Sequence, residues 1–166
     1  MDRIFLDMDD VIVDFVRGVK ELTGKSPLEF GKNLGAMWKA IAGVGDFYSK
    51  LQWMPDGKDL WEGLKPFEPI LLTGIPHGHG WTEQKYRWIH KNLDPIPQCI
   101  IKHPGTDKLQ SVFNTYKINA IPEDETWILI DDTPRMANAW TAGRGKFILH
   151  KSAEKSLEQL LELLED

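Results

Sequence analysis

The sequence predicts an α/β fold: a Rossmann-like parallel sheet of about five strands flanked by helices, with a small, mainly helical cap inserted after the first strand. Three observations predict it. Short, nearly continuous apolar runs alternate with amphipathic stretches, the pattern of a parallel sheet covered on both faces. Two of these runs end abruptly in aspartates, at Asp7, Asp9 and Asp10 and at Asp131 and Asp132. In open parallel sheets, ligands sit beyond the carboxyl ends of strands. Finally, one interval, from Val16 to Pro66, breaks the alternation.

The first candidate strand, Arg3–Leu6, runs straight into Asp7-Met8-Asp9-Asp10-Val11. Like charges raise one another's pKa and resist desolvation, so a buried strand ends in such a cluster only where a cation or protons compensate. An acidic turn at a sheet edge would look the same from this segment alone. The second acidic ending tips the balance. Trp127–Ile130 runs into Asp131 and Asp132, and carboxylates from two strand ends can surround one hard cation such as Mg²⁺.

The interval after the first strand is too long for an ordinary crossover, and glycines at 24, 31, 35, 43, 45, 57 and 63 interrupt it. It reads as an inserted cap over residues 16–66, leaving 1–15 and 67–166 as the core. Its aromatics, Trp38, Phe47, Tyr48, Trp53 and Trp61, either form the insertion's own small core or line a pocket for a flat ring.

The second strand, Ile70–Thr73, ends in a hydroxyl followed by Gly74, and the turn beyond can offer backbone N–H groups to anionic oxygens. Thr82 is placed to cap a helix over Glu83–Asn92, in which Tyr86 and Trp88 read as packing residues. Gln98–Ile101 is the third strand and contains Cys99, the one cysteine, read as a buried core thiol. Lys102 and Lys108 follow, and Lys108, placed to start a helix, is the better candidate to neutralise a carboxylate and a phosphoryl group. After the fourth strand, Thr133-Pro134 reads as an N-cap with proline at the first helical position, and Gly143 ends that helix. The fifth strand, Lys146–Leu149, leads to Ser152 and a helical stripe of Leu157, Leu160, Leu161 and Leu164, read as core.

With 166 residues, 42% hydrophobic, the chain can bury one sizeable core. A net charge of −5 argues against a protein that tracks a nucleic-acid polymer, whose backbone is held mainly by basic residues. A small anionic substrate is compatible if the site carries its own cation. There is no secretory segment or membrane-length apolar run, so a cytoplasmic protein with no membrane partner is expected. His77-Gly78-His79 offers two imidazoles without a third ligand, and reads as a polar loop rather than a transition-metal site.

Asp7-Met8-Asp9-Asp10-Val11, Leu71-Leu72-Thr73-Gly74, Lys108 and Ile130-Asp131-Asp132 resemble, in order, the four motifs of the haloacid dehalogenase-like (HAD) phosphohydrolases. Within that group, the stretch from Asp7 to Phe15 and Lys85-Tyr86-Arg87-Trp88-Ile89 are similar to the 5'(3')-deoxyribonucleotidase branch. Ile128–His150 is similar to phage and bacterial nucleotidase-like relatives. The resemblance is weakest through the cap.

The resemblance implies that Asp7 is a nucleophile that forms an aspartyl-phosphate and that Asp9 is the general acid and base. It implies Mg²⁺ held by Asp7, the backbone carbonyl of Asp9, Asp131 and Asp132, with Asp132 favoured over Asp131 as the direct ligand. Thr73, Gly74 and Lys108 would hold the phosphoryl oxygens. Phe15, Trp38 and Phe47 would face the sugar or base. Two departures stand out: Asp10 occupies a place where the family often has glycine, and His77 falls near a phosphate-contacting lysine of the closer branch. A histidine there would hold phosphate only while protonated, favouring mildly acidic pH.

The function expected from the sequence is a Mg²⁺-dependent phosphomonoesterase acting on nucleoside monophosphates, with deoxyribonucleotides first. The same chemistry on a sugar phosphate or a polynucleotide end is the nearest alternative. A phosphoacceptor receiver module fits poorly, because Thr73 and Lys108 precede the second acidic pair. A catalytically silent nucleotide-binding relative fits less well than an enzyme, since every acidic and basic motif residue is retained.

Overall fold

A computed structural model describes residues 1–166. Five strands, β1 (Asp2–Leu6), β2 (Ile70–Gly74), β3 (Cys99–Lys102), β4 (Thr126–Asp131) and β5 (Lys146–Leu149), form one parallel sheet in the order β3-β2-β1-β4-β5. Seven α-helices accompany it: α1 (Phe15–Thr23), α2 (Leu34–Ala42), α3 (Gly57–Leu64), α4 (Trp81–Asn92), α5 (Lys108–Tyr116), α6 (Met136–Ala142) and α7 (Ala153–Glu165). The architecture is the predicted α/β, Rossmann-like one. No helix is long and apolar enough to cross a membrane.

Both sheet faces are covered, which is why the strands lack polar alternation. Ile4, Leu6, Leu71, Ile128 and Ile130 point to one face, where α3, α4 and α7 pack together with residues of α1 and α2. Phe5, Leu72, Trp127 and Leu129 point to the other, against α5 and α6. An aromatic cluster holds that second face: Phe5 lies 5.2 Å from both Trp127 and Trp140, ring centre to ring centre.

The inserted stretch is fastened to the sheet layer at its middle. Gln84 of α4 accepts a hydrogen bond from the backbone N–H of Tyr48 (2.9 Å) and donates to the carbonyl of Gly45 (3.2 Å). The Trp88 indole donates to the carbonyl of Leu51 (2.9 Å), and Arg87 pairs with Asp46 (3.1 Å). Residues 45–51 are thereby strapped along α4, while α3 packs beside α7 as the helix that leads into β2.

Helix punctuation differs from expectation at two places, and the packed face of α7 at one. Gly80, with φ 85°, precedes α4 and leaves Thr82 inside the first turn rather than capping it. The helix after β4 starts at Met136, because Thr133 instead donates its N–H to Asp131 Oδ1 (2.9 Å) and accepts from Met136 N–H (3.0 Å) in a preceding turn. Leu161 is exposed, since it lies about 100° round α7 from the buried Leu160, and Leu163 joins the packed stripe in its place. Ser152 does cap α7, accepting from Lys155 N–H. Cys99 is half-buried rather than fully buried, because β3 is an edge strand, and burial still pushes its thiol up to about 12.

Trp127→Ala would open a cavity between the sheet and α5–α6, at a side chain that is 1% exposed. Denaturant unfolding should show a loss of about 3–5 kcal/mol with an unchanged m-value.

Candidate active site

β1 and β4 are hydrogen-bonded neighbours with Leu6 opposite Ile130, so their next residues, Asp7 and Asp131, emerge side by side. Asp7 N–H donates to the Ile130 carbonyl (3.0 Å), which fixes this level. Both carboxylates are buried, at 7% and 1% exposure. Lys108 lies between them, its Nζ 3.0 Å from Asp7 Oδ1 and 2.5 Å from Asp131 Oδ2. Its place at the start of α5 is set by Asp107, whose side chain accepts from Gln110 N–H (2.8 Å). Burial pushes the Asp7 carboxyl up, against the pull of the Lys108 ammonium. For Lys108, burial favours the neutral amine, but Asp7 and Asp131 outweigh it and hold the ammonium above its ordinary range.

After Asp7 the chain makes a tight turn in which the N–H groups of Val11, Ile12 and Val13 all donate to the Met8 carbonyl. Asp10 sits in this turn with φ 61°, a left-handed conformation that favours glycine but that aspartate tolerates. Its Oδ1 accepts from Val16 N–H (3.1 Å), next to the Asp14 cap on α1. The departure at Asp10 thus has a local structural reason. Burial pushes its carboxyl up to about 6, only partly offset by the Val16 N–H.

Asp132 completes the acidic floor. A carboxylate oxygen from each of Asp7, Asp131 and Asp132 lies within 4.8 Å of the others. Burial, reinforced by the charges of Asp7, Asp131 and Asp10, raises Asp132 to about 8. Three hard oxygen donors held together against their own repulsion match the requirement of a hard dication such as Mg²⁺.

Asp9 faces the same cavity but outside this triad. Its two oxygens accept from the Tyr48 hydroxyl and from Lys85 Nζ (3.3 Å). Lys85 is 3% exposed and also donates to Thr73 Oγ1 (2.5 Å) and the Gly74 carbonyl (2.7 Å). Thr73 is fully buried behind Gly74, which lines the cavity.

The cavity above this floor is about 430 Å³, within the range of small-molecule sites. Phe15, Trp38 and Trp81 form its aromatic wall, with Trp38 5.7 Å from Phe15 and 5.6 Å from Trp81. Lys102 and Arg135 stand among its lining residues. Three expected residues lie elsewhere. Thr73, expected to hold a phosphoryl oxygen, has no exposed surface and its hydroxyl accepts from Lys85 Nζ, so it supports Gly74 from below and does not itself line the cavity. Phe47 is buried behind Phe15, edge-on at 6.0 Å, because it packs the insertion's inner side and faces Gly18 and Leu51. His77 projects from an exposed loop, its carbonyl accepting from the Trp81 indole (3.3 Å), so it supplies no imidazole to the cavity and no reason for an acidic optimum.

Lys85 and Trp81 are site residues that sequence reasoning passed over, and Tyr48, read there only as a core or pocket aromatic, holds Asp9. Lys85 left one trace. It occupies a core-facing position among Trp81, Gln84, Trp88 and Ile89, where a lysine without a buried acceptor would be costly.

No protein-family model matches the chain, and no curated protein matches it. Solved structures do. A hydrolase from Streptococcus pneumoniae TIGR4 superposes with a TM-score of 0.53 at 14% identity, with 97% of each chain covered. A HAD-superfamily hydrolase of subfamily IA, variant 1, from Geobacter sulfurreducens PCA gives 0.55 at 14% identity, over 92% of this chain and 90% of that one. A Thermotoga maritima protein provisionally named a beta-phosphoglucomutase gives 0.51 at 14% identity, over 99% of both chains. At such identities the likeness shows a shared fold, that of the HAD-superfamily hydrolases.

Asp132 carries a folded-state pKa raised above its ordinary value, so in the metal-free protein its ionisation opposes folding. The associated stability is present below about pH 4, is lost progressively above it, and is gone above about pH 8. Asp132→Asn should therefore raise the metal-free Tm more at pH 8.5 than at pH 5. Thermal melts with and without Mg²⁺ should also show that the variant gains less from the ion than wild type does.

Proposed function

We propose that the protein is a Mg²⁺-dependent phosphomonoesterase that hydrolyses nucleoside monophosphates, deoxyribonucleotides first, through an aspartyl-phosphate on Asp7. One observation carries this reading: a buried carboxylate, paired with a buried lysine and set in a triad of carboxylates, lies on the floor of a cavity with an aromatic wall. Residues 16–66 act as the cap in this reading, with 1–15 and 67–166 as the catalytic core.

Asp7, Asp131, Asp132 and the Asp9 carbonyl would hold the ion, which when bound neutralises the acidic floor and polarises a phosphoryl oxygen. A lysine ammonium has three donors, and Lys108 gives two to Asp7 and Asp131, so one remains for the phosphoryl group. Asp7 attacks phosphorus, the P–O bond to the ester oxygen breaks, and Asp9 protonates the departing alkoxide. Asp9 then takes a proton from water as that water attacks the aspartyl-phosphate. The bond between phosphorus and Asp7 breaks, inorganic phosphate leaves, and both carboxyl groups return to their starting states. Gly74 and the turn beyond it offer backbone N–H groups to the phosphoryl oxygens. Phe15, Trp38 and Trp81 offer the flat apolar surface a base requires.

A sugar phosphate is the second reading, favoured by the name given to the Thermotoga maritima neighbour and by Lys102 and Arg135 at the cavity. It leaves the chemistry at Asp7 and Asp9 unchanged.

Phosphate release should be measured across nucleoside, deoxynucleoside and sugar monophosphates with Mg²⁺ or EDTA. Nucleotides should be preferred, EDTA should abolish release, and Asp7→Asn should lower kcat by about 10³-fold or more. Release indifferent to Asp7→Asn would rule out the aspartyl-phosphate. A preference for sugar phosphates would replace the substrate assignment alone.

A further inference from the structure

The geometry points to Tyr48 and Lys85 as positioning residues that together orient Asp9 for proton delivery to the leaving group, an inference that rests on the phosphomonoesterase reading above. Three features of the structure carry it. The first is donor arithmetic at Lys85. Its ammonium has three N–H groups and three acceptors, Thr73 Oγ1, the Gly74 carbonyl and Asp9 Oδ2, so none remains for a substrate phosphate. Lys108, with one free donor, is the opposite case. A buried lysine whose every donor is taken up by protein acceptors on two separate segments is a clamp. It ties the turn after β1 to the end of β2.

The second feature is the way the Asp9 carboxylate is gripped. Tyr48 engages Oδ1 and Lys85 engages Oδ2, so rotation about the carboxylate's last bond would break both contacts. A carboxylate offers about four lone-pair directions, and the two left free are available to the ester oxygen or to water in the cavity that Asp9 lines. Misplacement of a reacting group by about 1 Å costs about 100-fold in rate, so a fixed carboxylate plane matters to the step itself.

The third feature is that Tyr48 is itself immobilised. Its backbone N–H is held by the buried Gln84 side chain, and its ring lies under the Lys85 ammonium, 4.7 Å from the ring centre. Gln84 and Lys85 are consecutive residues of α4. One helix thus fixes Asp9 twice, directly through Lys85 and indirectly through the strap that carries Tyr48.

The leaving group separates this role from a merely structural one. Protonation helps an alkoxide leave, whereas 2,4-dinitrophenolate departs without it. Because kcat/KM reports steps only through phosphoryl transfer to Asp7, it isolates that proton. Wild type, Tyr48→Phe and Lys85→Met should be compared on a nucleoside 5'-monophosphate and on 2,4-dinitrophenyl phosphate. Each variant should lose about ten-fold or more in kcat/KM on the alkyl ester and less than about three-fold on the aryl ester. Equal losses on both esters, or no loss on either, would overturn the inference and leave the phosphomonoesterase reading standing. Absence of turnover by wild type on both esters would overturn that reading, and this inference with it. If Lys85→Met fails to fold, Tyr48→Phe decides alone, since it removes one hydroxyl and keeps the ring.

Discussion

The buried ion triplet of Asp7, Lys108 and Asp131 is the constraint around which the rest of the molecule is arranged. Two carboxylates on adjacent strand ends, both buried, could not remain so close without a cation, and breaking such a set leaves an uncompensated buried charge. The β1–β4 register fixes the acids, and the Asp107 cap fixes the first turn of α5 so that Lys108 enters between them. The aromatic cluster under the sheet supports both elements, since Trp127 of β4 packs against Phe113 of α5. Local structure, packing and electrostatics converge on three atoms.

Two buried lysines stand on opposite sides of the site, and the number of hydrogen-bond partners distinguishes them. Lys108 keeps a donor free beside the proposed nucleophile, whereas all three donors of Lys85 are engaged by protein acceptors. One cation is therefore placed to meet the substrate and the other to hold the loops that surround it. The inserted segment divides in a similar way. Its 45–51 strap is bonded along α4, while its Trp38 stands over the cavity from α2, beside Phe15 at the start of α1.

The acidic floor still carries more negative charge than the two lysines offset, which is why burial and mutual repulsion lift Asp132 so far. A dication relieves that imbalance at the place where a phosphoryl group would add further charge. Asp10 adds to the floor's charge but has a second task. Its carboxylate serves the backbone, holding Val16 N–H from a left-handed conformation.

The sheet, its strand count and the acidic ends of β1 and β4 were legible because they are written in local periodicity: apolar runs of strand length interrupted by charge. Lys108 was legible for the same reason, standing at a helix start after a strand. Trp38 was reached through composition, but so was Phe47, and only packing showed that one lines the cavity while the other backs Phe15. His77 was placed only by resemblance, near a phosphate-contacting lysine of the closer branch, and the exposed loop that carries it leaves it outside the cavity lining. Tyr48 and Lys85 meet Asp9 across separations of 39 and 76 residues, and no local pattern encodes such a meeting. The sequence by itself determined which residues end strands and begin helices, because those choices follow from neighbours along the chain. Only the tertiary structure decided which side chains share the hydrogen bonds of Asp9, because that depends on how distant segments pack.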